Sequence, residues 1–296
     1  MSRGEFDVGV ALVARLIGKQ FPRWVGLPIV EVGSAGTDNA IYRLGDGMVV
    51  RLPRHVGAVG EVARQHRWLP RLAPLLPLAV PVPLARGVPG EGFPFPWLVC
   101  RWLEGQNVAG APGVDLADAA VRLGRFVAAL QRIDASGGPR SFRGGPVGVL
   151  DERVRGEIGN LGADGRVDPE LVSAAWQASL AAPGWDRAPV WVHADLYPVN
   201  LLARHGRLAG VIDFGGLGAG DPAIDMLPAW AWLTAPAREL FRAEVQADQA
   251  TWARGRGWAL GLGLGAVHVY RVTNPVLAAI GQHAIAEAIA DYQHTA

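Results

Sequence analysis

Lysine is almost missing from this 296-residue chain, with Lys19 standing alone against 27 arginines. Any role ordinarily given to a lysine therefore falls to an arginine. Cys100 is the only cysteine, which excludes an intrachain disulfide and points to a reducing, cytoplasmic setting. Its apolar surroundings, Trp97-Leu-Val-Cys100, suit a buried packing residue better than a nucleophile. No run of about 18 apolar residues occurs, so no membrane span is expected. The N-terminal segment lacks the apolar core and cleavage site of a secretion signal. Net charge is only +1, which gives no global reason to expect nucleic acid or an anionic membrane as a partner. No internal repeat is visible.

Hydrophobic residues make up 50% of the chain and 11 of them are tryptophan, enough for real cores. Charge is divided unevenly. Residues 1–103 hold 12 basic and 7 acidic side chains, whereas residues 104–296 hold 16 and 20. Apolar spacing predicts a helix over 6–21, then strands over 29–32, 40–44 and 48–52, the last two meeting at Gly45-Asp-Gly47. A helix over 60–72 stops at Pro74, a proline-rich stretch follows to Pro83, and strands over 84–87 and 96–103 complete five. Beyond a hinge at residues 104–106 the pattern turns helical, over 116–133, 169–182, 222–234, 236–255, 258–272 and 275–292. Residues 137–146 and 162–165 read as loops. The expected fold class is α+β, with a small strand-rich lobe (1–103) and a larger helical lobe (107–296).

The chemistry is concentrated in His193-Ala-Asp195-Leu-Tyr-Pro-Val-Asn200, followed by Val211-Ile-Asp213-Phe-Gly215. An Asp, an Asn five residues later and a second Asp opening Asp-Phe-Gly are the parts of kinase-like phosphoryl transfer. Asp195 would orient a substrate hydroxyl and take its proton. Asn200 and Asp213 would hold Mg²⁺, a hard ion that prefers oxygen ligands. Between them a hairpin of residues 201–203 and 208–212 turns at His205-Gly206. Isolated His-x-Asp or Asp-Phe-Gly is common and usually structural; the ordered combination is what carries weight.

Upstream, Gly33-Ser-Ala-Gly36-Thr-Asp-Asn39 lies between two strands, where such enzymes cover the nucleotide phosphates. Its amides, with Ser34, Gly36 and Thr37, would cradle phosphate oxygens. Arg51 occupies the third-strand position of the usual phosphate lysine, and its planar fork differs from a point charge. On the following helix Glu61 and Gln65 are equal candidates for its partner.

These segments together resemble the aminoglycoside phosphotransferase family, which includes kinases of aminoglycosides and macrolides. The resemblance covers nearly the whole chain. It implies a bilobal protein-kinase-like fold, with a five-stranded antiparallel sheet and a helix in the small lobe. It also implies ATP or GTP as donor, Mg²⁺, and a small-molecule acceptor with a free hydroxyl, most simply an aminoglycoside or related antibiotic. The family loop usually has Gly where Ala194 stands, and often His where Tyr197 stands. Asp221 reads as the cap of the helix opened by Pro222. Asp225 reads as a first-turn acid or a residue that orders the catalytic loop. Trp230, Trp232, Trp252, Trp258, His268 and Tyr270 are candidates for lining the acceptor pocket, although such aromatics are more often plain core. Glu239, Glu244 or Asp248 near it would suit a polyamine sugar; a wide aromatic pocket would suit a macrolide. Two alternatives share the motifs, a metabolic kinase of a sugar, choline-like amine or amino alcohol, and a nucleotide-binding pseudokinase.

Overall fold

A computed structural model describes residues 6, 8–33, 38–111 and 113–295. The chain divides into two compact units. The first comprises Met1–Leu75, Ala79–Glu104 and Ile212–Gly215, and the second comprises Leu76–Leu78, Gly105–Val211 and Gly216–Ala296.

In the first unit a helix, α1 (Val10–Gln20), precedes β1 (Ile29–Glu31), β2 (Asn39–Leu44) and β3 (Met48–Pro53), followed by α2 (Val59–Leu72), β4 (Pro83–Gly87) and β5 (Trp97–Arg101). The strands form one antiparallel sheet in the order β1-β2-β3-β5-β4. Alternation along β3 decides what each face receives. Met48, Val50 and Leu52 join Tyr42, Leu44, Trp97 and Val99 in a core with Val13, Leu16 and Ile17 of α1. Val49 faces the other way, onto Val62 of α2, Leu98 and Cys100. Cys100 is thus the packing residue its neighbours implied, and burial pushes its thiol up to about 11.

The second unit opens with a two-residue strand, β6 (Gln106–Asn107), and α3 (Leu116–Arg132). Next come α4 (Asp151–Ala163), α5 (Pro169–Leu180), β7 (Val190–Val192), the hairpin of β8 (Leu201–Arg204) and β9 (Arg207–Val211), and β10 (Gly218–Gly220). The chain ends with α6 (Pro228–Ala231), α7 (Ala235–Val245), α8 (Gln249–Tyr270) and α9 (Pro275–Thr295). Asp115 and Asp168 cap α3 and α5, each accepting two backbone N–H bonds. Helix α8 is buried on nearly all sides by α9, α5, α4 and the turns at residues 222–226.

Several helical expectations are revised. A regular helix does not run over 222–234; a 3-10 segment, Pro222–Met226, is followed by the single turn of α6, because Pro228 supplies no N–H. The helix expected over 236–255 ends at Val245, where Gln246 takes a left-handed conformation (φ 53°), and Asp248 caps a new helix. Helix α8 then runs through Gly255-Arg-Gly257, read from sequence as a break. A Cβ at Gly255 would lie 2.5 Å from that of Met226, so this glycine permits close packing rather than ending a helix. Helix α4 escaped notice because Gly156, Gly159 and Gly162 interrupt its apolar pattern. Gln106, the last residue of the expected hinge, begins β6.

Candidate active site

The first unit gathers three of the expected residues, Gln65, Asp213 and Glu61, around the Arg51 guanidinium. Arg51 shares the α2-facing side of β3 with Val49, so it grows into the sheet-helix interface and is buried. Its Nη1 donates to Gln65 Oε1 at 3.3 Å, and its Nη2 donates to Asp213 Oδ1 at 2.9 Å. Burial works against the Arg51 charge, but Asp213 outweighs it and the guanidinium is held more firmly protonated than usual. Of the two α2 candidates, Gln65 is therefore the direct partner. It lies on the buried stripe Val62, Gln65, Leu69, Leu72.

Glu61, one turn earlier, sits against Gly215, where a Cβ would come within 2.9 Å of its carboxylate. Burial raises the Glu61 pKa to about 7, with Asp213 adding to the shift and Arg51 opposing it. Asp213 itself adopts a left-handed backbone, φ 61°, which Asp tolerates better than most residues. Ser34, Gly36 and Thr37 of the glycine loop lie outside the described residues.

In the second unit the 193–200 loop leaves β7 and is pinned from below. Asp225 is fully buried, and its carboxylate accepts the amides of His193 at 2.8 Å and Ala194 at 2.7 Å. Asp225 stands in the first turn after Pro222, as its position implied, and these contacts also order the loop. Burial raises its pKa to about 7 against the pull of those amides. Ala194 takes φ 65°, a left-handed conformation natural to glycine. His193 is buried, and its Nδ1 accepts the Asp195 amide at 3.2 Å, so it braces the loop from within.

Asp195 has both carboxylate oxygens engaged. Asn200 Nδ2 donates to Oδ2 at 2.8 Å and to the Asp195 carbonyl at 2.9 Å. This turns the Asn200 Oδ1 into the atom left to offer a cation, and a carbonyl with a carboxylate is a donor set that fits Mg²⁺. Arg143 Nη1 donates to Asp195 Oδ1 and, at 3.3 Å, to the Ala194 carbonyl. Sequence reasoning passed over Arg143, which lies in a Gly- and Pro-rich loop with no periodicity to single it out.

Asp221 caps the turn opened by Pro222, accepting the Ala223 amide at 2.9 Å. It also receives Arg254 at 2.8 and 3.0 Å in a buried two-pronged pair, which fastens α8 to this segment.

Trp230, Trp252 and Trp258 are core, with Trp230 stacked on Trp252 at 4.7 Å. Trp232 instead lines a cavity of about 480 Å³ with Val108, Pro198, Val276, Ile280 and His283. Its wall is mostly apolar and reaches the 193–200 loop at Pro198. None of the acids offered for a polyamine lines it. Glu244 pairs with Arg125, and Asp248 caps α8 and pairs with Arg187.

The fold is that of the protein-kinase-like phosphotransferases. A family model described as the phosphotransferase enzyme family matches residues 29–258. Similar solved structures include the GDP complex of aminoglycoside 2'-phosphotransferase-IIIa, 19% identical, with a TM-score of 0.73 over 96% of this chain and 100% of that one. The macrolide 2'-phosphotransferase MphH from Brachybacterium faecium is 23% identical, with a TM-score of 0.62 over 94% and 97%. The ternary complex of APH(2")-IIa with streptomycin and ATP is 17% identical, with a TM-score of 0.59 over 95% and 99%. No curated protein matches the chain. The chain belongs to the phosphotransferase enzyme family, and it is an enzyme.

Proposed function

We propose that this enzyme moves the γ-phosphoryl group of ATP or GTP to a hydroxyl of a small molecule, with Asp195 taking up the hydroxyl proton. The observation that carries this is the construction around Asp195. Its carboxylate is held by Asn200 and Arg143, on a loop whose preceding amides are fixed by the buried Asp225. Such preorganisation is what positioning catalysis requires. Arg51, braced by Gln65, would clamp the triphosphate together with the amides and hydroxyls of Ser34, Gly36 and Thr37. Asn200 and Asp213 would hold Mg²⁺, which when bound neutralises the β,γ-phosphates. The nucleotides in related solved structures, GDP and ATP, support a nucleotide donor.

An antibiotic acceptor, and with it a resistance role in the cytoplasm, is supported by the aminoglycoside and macrolide enzymes of the same fold. The apolar cavity beside Pro198 favours a largely apolar glycoside over a polyamine sugar. A metabolic alcohol is a second reading, favoured by Arg143, which places a cation on Asp195 where a polyamine-binding site would gain from surplus negative charge.

The test is transfer from labelled ATP and GTP, with Mg²⁺, across aminoglycosides, macrolides and small alcohols. Asp195→Ala should lower turnover by roughly 10²–10⁴-fold while nucleotide binding survives. Full activity in that variant would overturn the assignment.

A further inference from the structure

Arg143 is a fixed feature of the second unit rather than a wandering surface side chain. Its loop lies alongside β10 and is tied to it by the Ser141 amide on the Ala219 carbonyl at 3.0 Å, the Ala219 amide on the Pro139 carbonyl at 2.7 Å and the Asp221 amide on the Gly144 carbonyl at 2.9 Å. Ser141 Oγ adds a bond to the Gly216 carbonyl at 2.8 Å. Strand β10 pairs with β7, from which the Asp195 loop departs, so Arg143 and Asp195 are carried on one continuous frame. The Phe142 ring lies 4.9 Å from the guanidinium carbon.

Asp195 is matched by Arg143, and Glu157 by Arg153 at 3.6 Å. Tyr197, whose phenol burial pushes up, also feels Arg143, Asp195, Arg153 and Tyr270. Asp225 lies below, facing the His193 and Ala194 amides. Arg143 is thus a cation in direct contact with the Asp195 carboxylate.

We propose that Arg143 is a specificity-determining residue that sets the charge an acceptor can carry beside its reacting hydroxyl. This rests on the reading of Asp195 as the proton-accepting group. A hydroxyl that reaches Asp195 brings its neighbouring substituent up to the guanidinium. An ammonium there meets a like charge in a partly desolvated setting, whereas a carboxylate or phosphate gains a charge-assisted bond. Among otherwise similar acceptors, those with a carboxylate or phosphate beside the hydroxyl are favoured over those with an ammonium there.

Three alcohols that differ only in that substituent test this: glycolate, ethylene glycol and 2-aminoethanol. Each is offered with labelled ATP or GTP to the wild type, Arg143→Gln, Arg143→Lys and Asp195→Asn, after thermal melts establish that all four fold. Binding of the same alcohols needs no turnover and is followed in parallel, through the Arg143 guanidinium resonances in the wild type and Asp195→Asn and by competition with inorganic phosphate in all four.

The wild type should favour glycolate over 2-aminoethanol by roughly tenfold or more, in kcat/KM or in binding. Arg143→Lys should keep the order and Arg143→Gln should bring the ratio close to one. An unchanged ratio in Arg143→Gln, or a wild type that favours 2-aminoethanol, would overturn the proposal. Asp195→Asn separates the two readings. Loss of transfer to every alcohol with glycolate binding retained supports both. Retained transfer sinks the role of Asp195, and with it the basis of the proposal.

Discussion

Asp225 and Glu61 are carboxyls whose surroundings make proton release difficult, and this fixes the sign of their effect on stability. Burial raises each to about 7, from an ordinary value near 4. Between about pH 4 and 7 the folded chain therefore holds protons that the unfolded chain has released. The stability they contribute is full below about 4, falls as pH rises through 7, and levels off above it. Thermal melts at pH 5, 6, 7 and 8 should show a falling midpoint across this range, and a rising one would contradict the assignment.

Asp225→Asn should flatten that slope while lowering stability at every pH. Its Nδ2 cannot accept one of the two loop amides, and an unsatisfied buried donor costs about 1–3 kcal/mol. Ala194 stands on the same loop at φ 65°. Ala194→Gly relieves a left-handed strain of about 1–2 kcal/mol, offset in part by the greater freedom of glycine in the unfolded chain. A net gain of roughly 0.5–1 kcal/mol should appear as a raised urea midpoint; a lowered one would show that the Ala194 methyl contributes packing instead.

At the scale of elements, what could be foreseen depended on how local the cause was. The strands of the first sheet follow from alternation and from glycines at their turns. His205-Gly206 takes positive φ at both positions, 52° and 74°, as a two-residue hairpin turn demands, and the sequence alone placed that turn. Asp195, Asn200, Asp213 and Arg51 were visible because their spacing is local to one loop, one hairpin or one strand. Arg143 was not, because it meets Asp195 across 52 positions through a backbone pairing no periodicity announces.

The same holds for β7, β10 and the strip beside them, which are too short to show a pattern. Their glycines are the trace they leave. A Cβ at Gly220 would lie 2.4 Å from Gly144 Cα, and one at Gly218 would lie 2.5 Å from the Ser141 amide nitrogen. Gly220→Ala must therefore push apart the strip that carries Arg143. A stability loss of about 1–3 kcal/mol or more is expected in urea titration, with transfer activity falling beyond what the unfolded fraction explains. Wild-type stability in that variant would mean the strip yields freely, and Arg143 would lose its fixed frame.

At the scale of the molecule, the proposed metal ligands Asn200 and Asp213 stand just before and just after the β8–β9 hairpin along the chain. Mg²⁺ tests whether the two side chains act as one site. Ligands that bind only the folded chain raise its stability by mass action, about 2.7 kcal/mol at a hundred times the dissociation constant. The nucleotide alone should give part of the rise in melting temperature and Mg²⁺ with nucleotide the rest. If the two side chains share one ion, Asp213→Asn and Asn200→Ala should each remove most of the Mg²⁺ increment, and the double variant should remove little more. That failure of additivity is the mark of a shared partner, since independent sites would add. Additive losses would divide the metal reading into two unrelated contributions. An Mg²⁺ increment untouched by either substitution would refute it, while leaving the Arg51 clamp to be judged by its own nucleotide affinity.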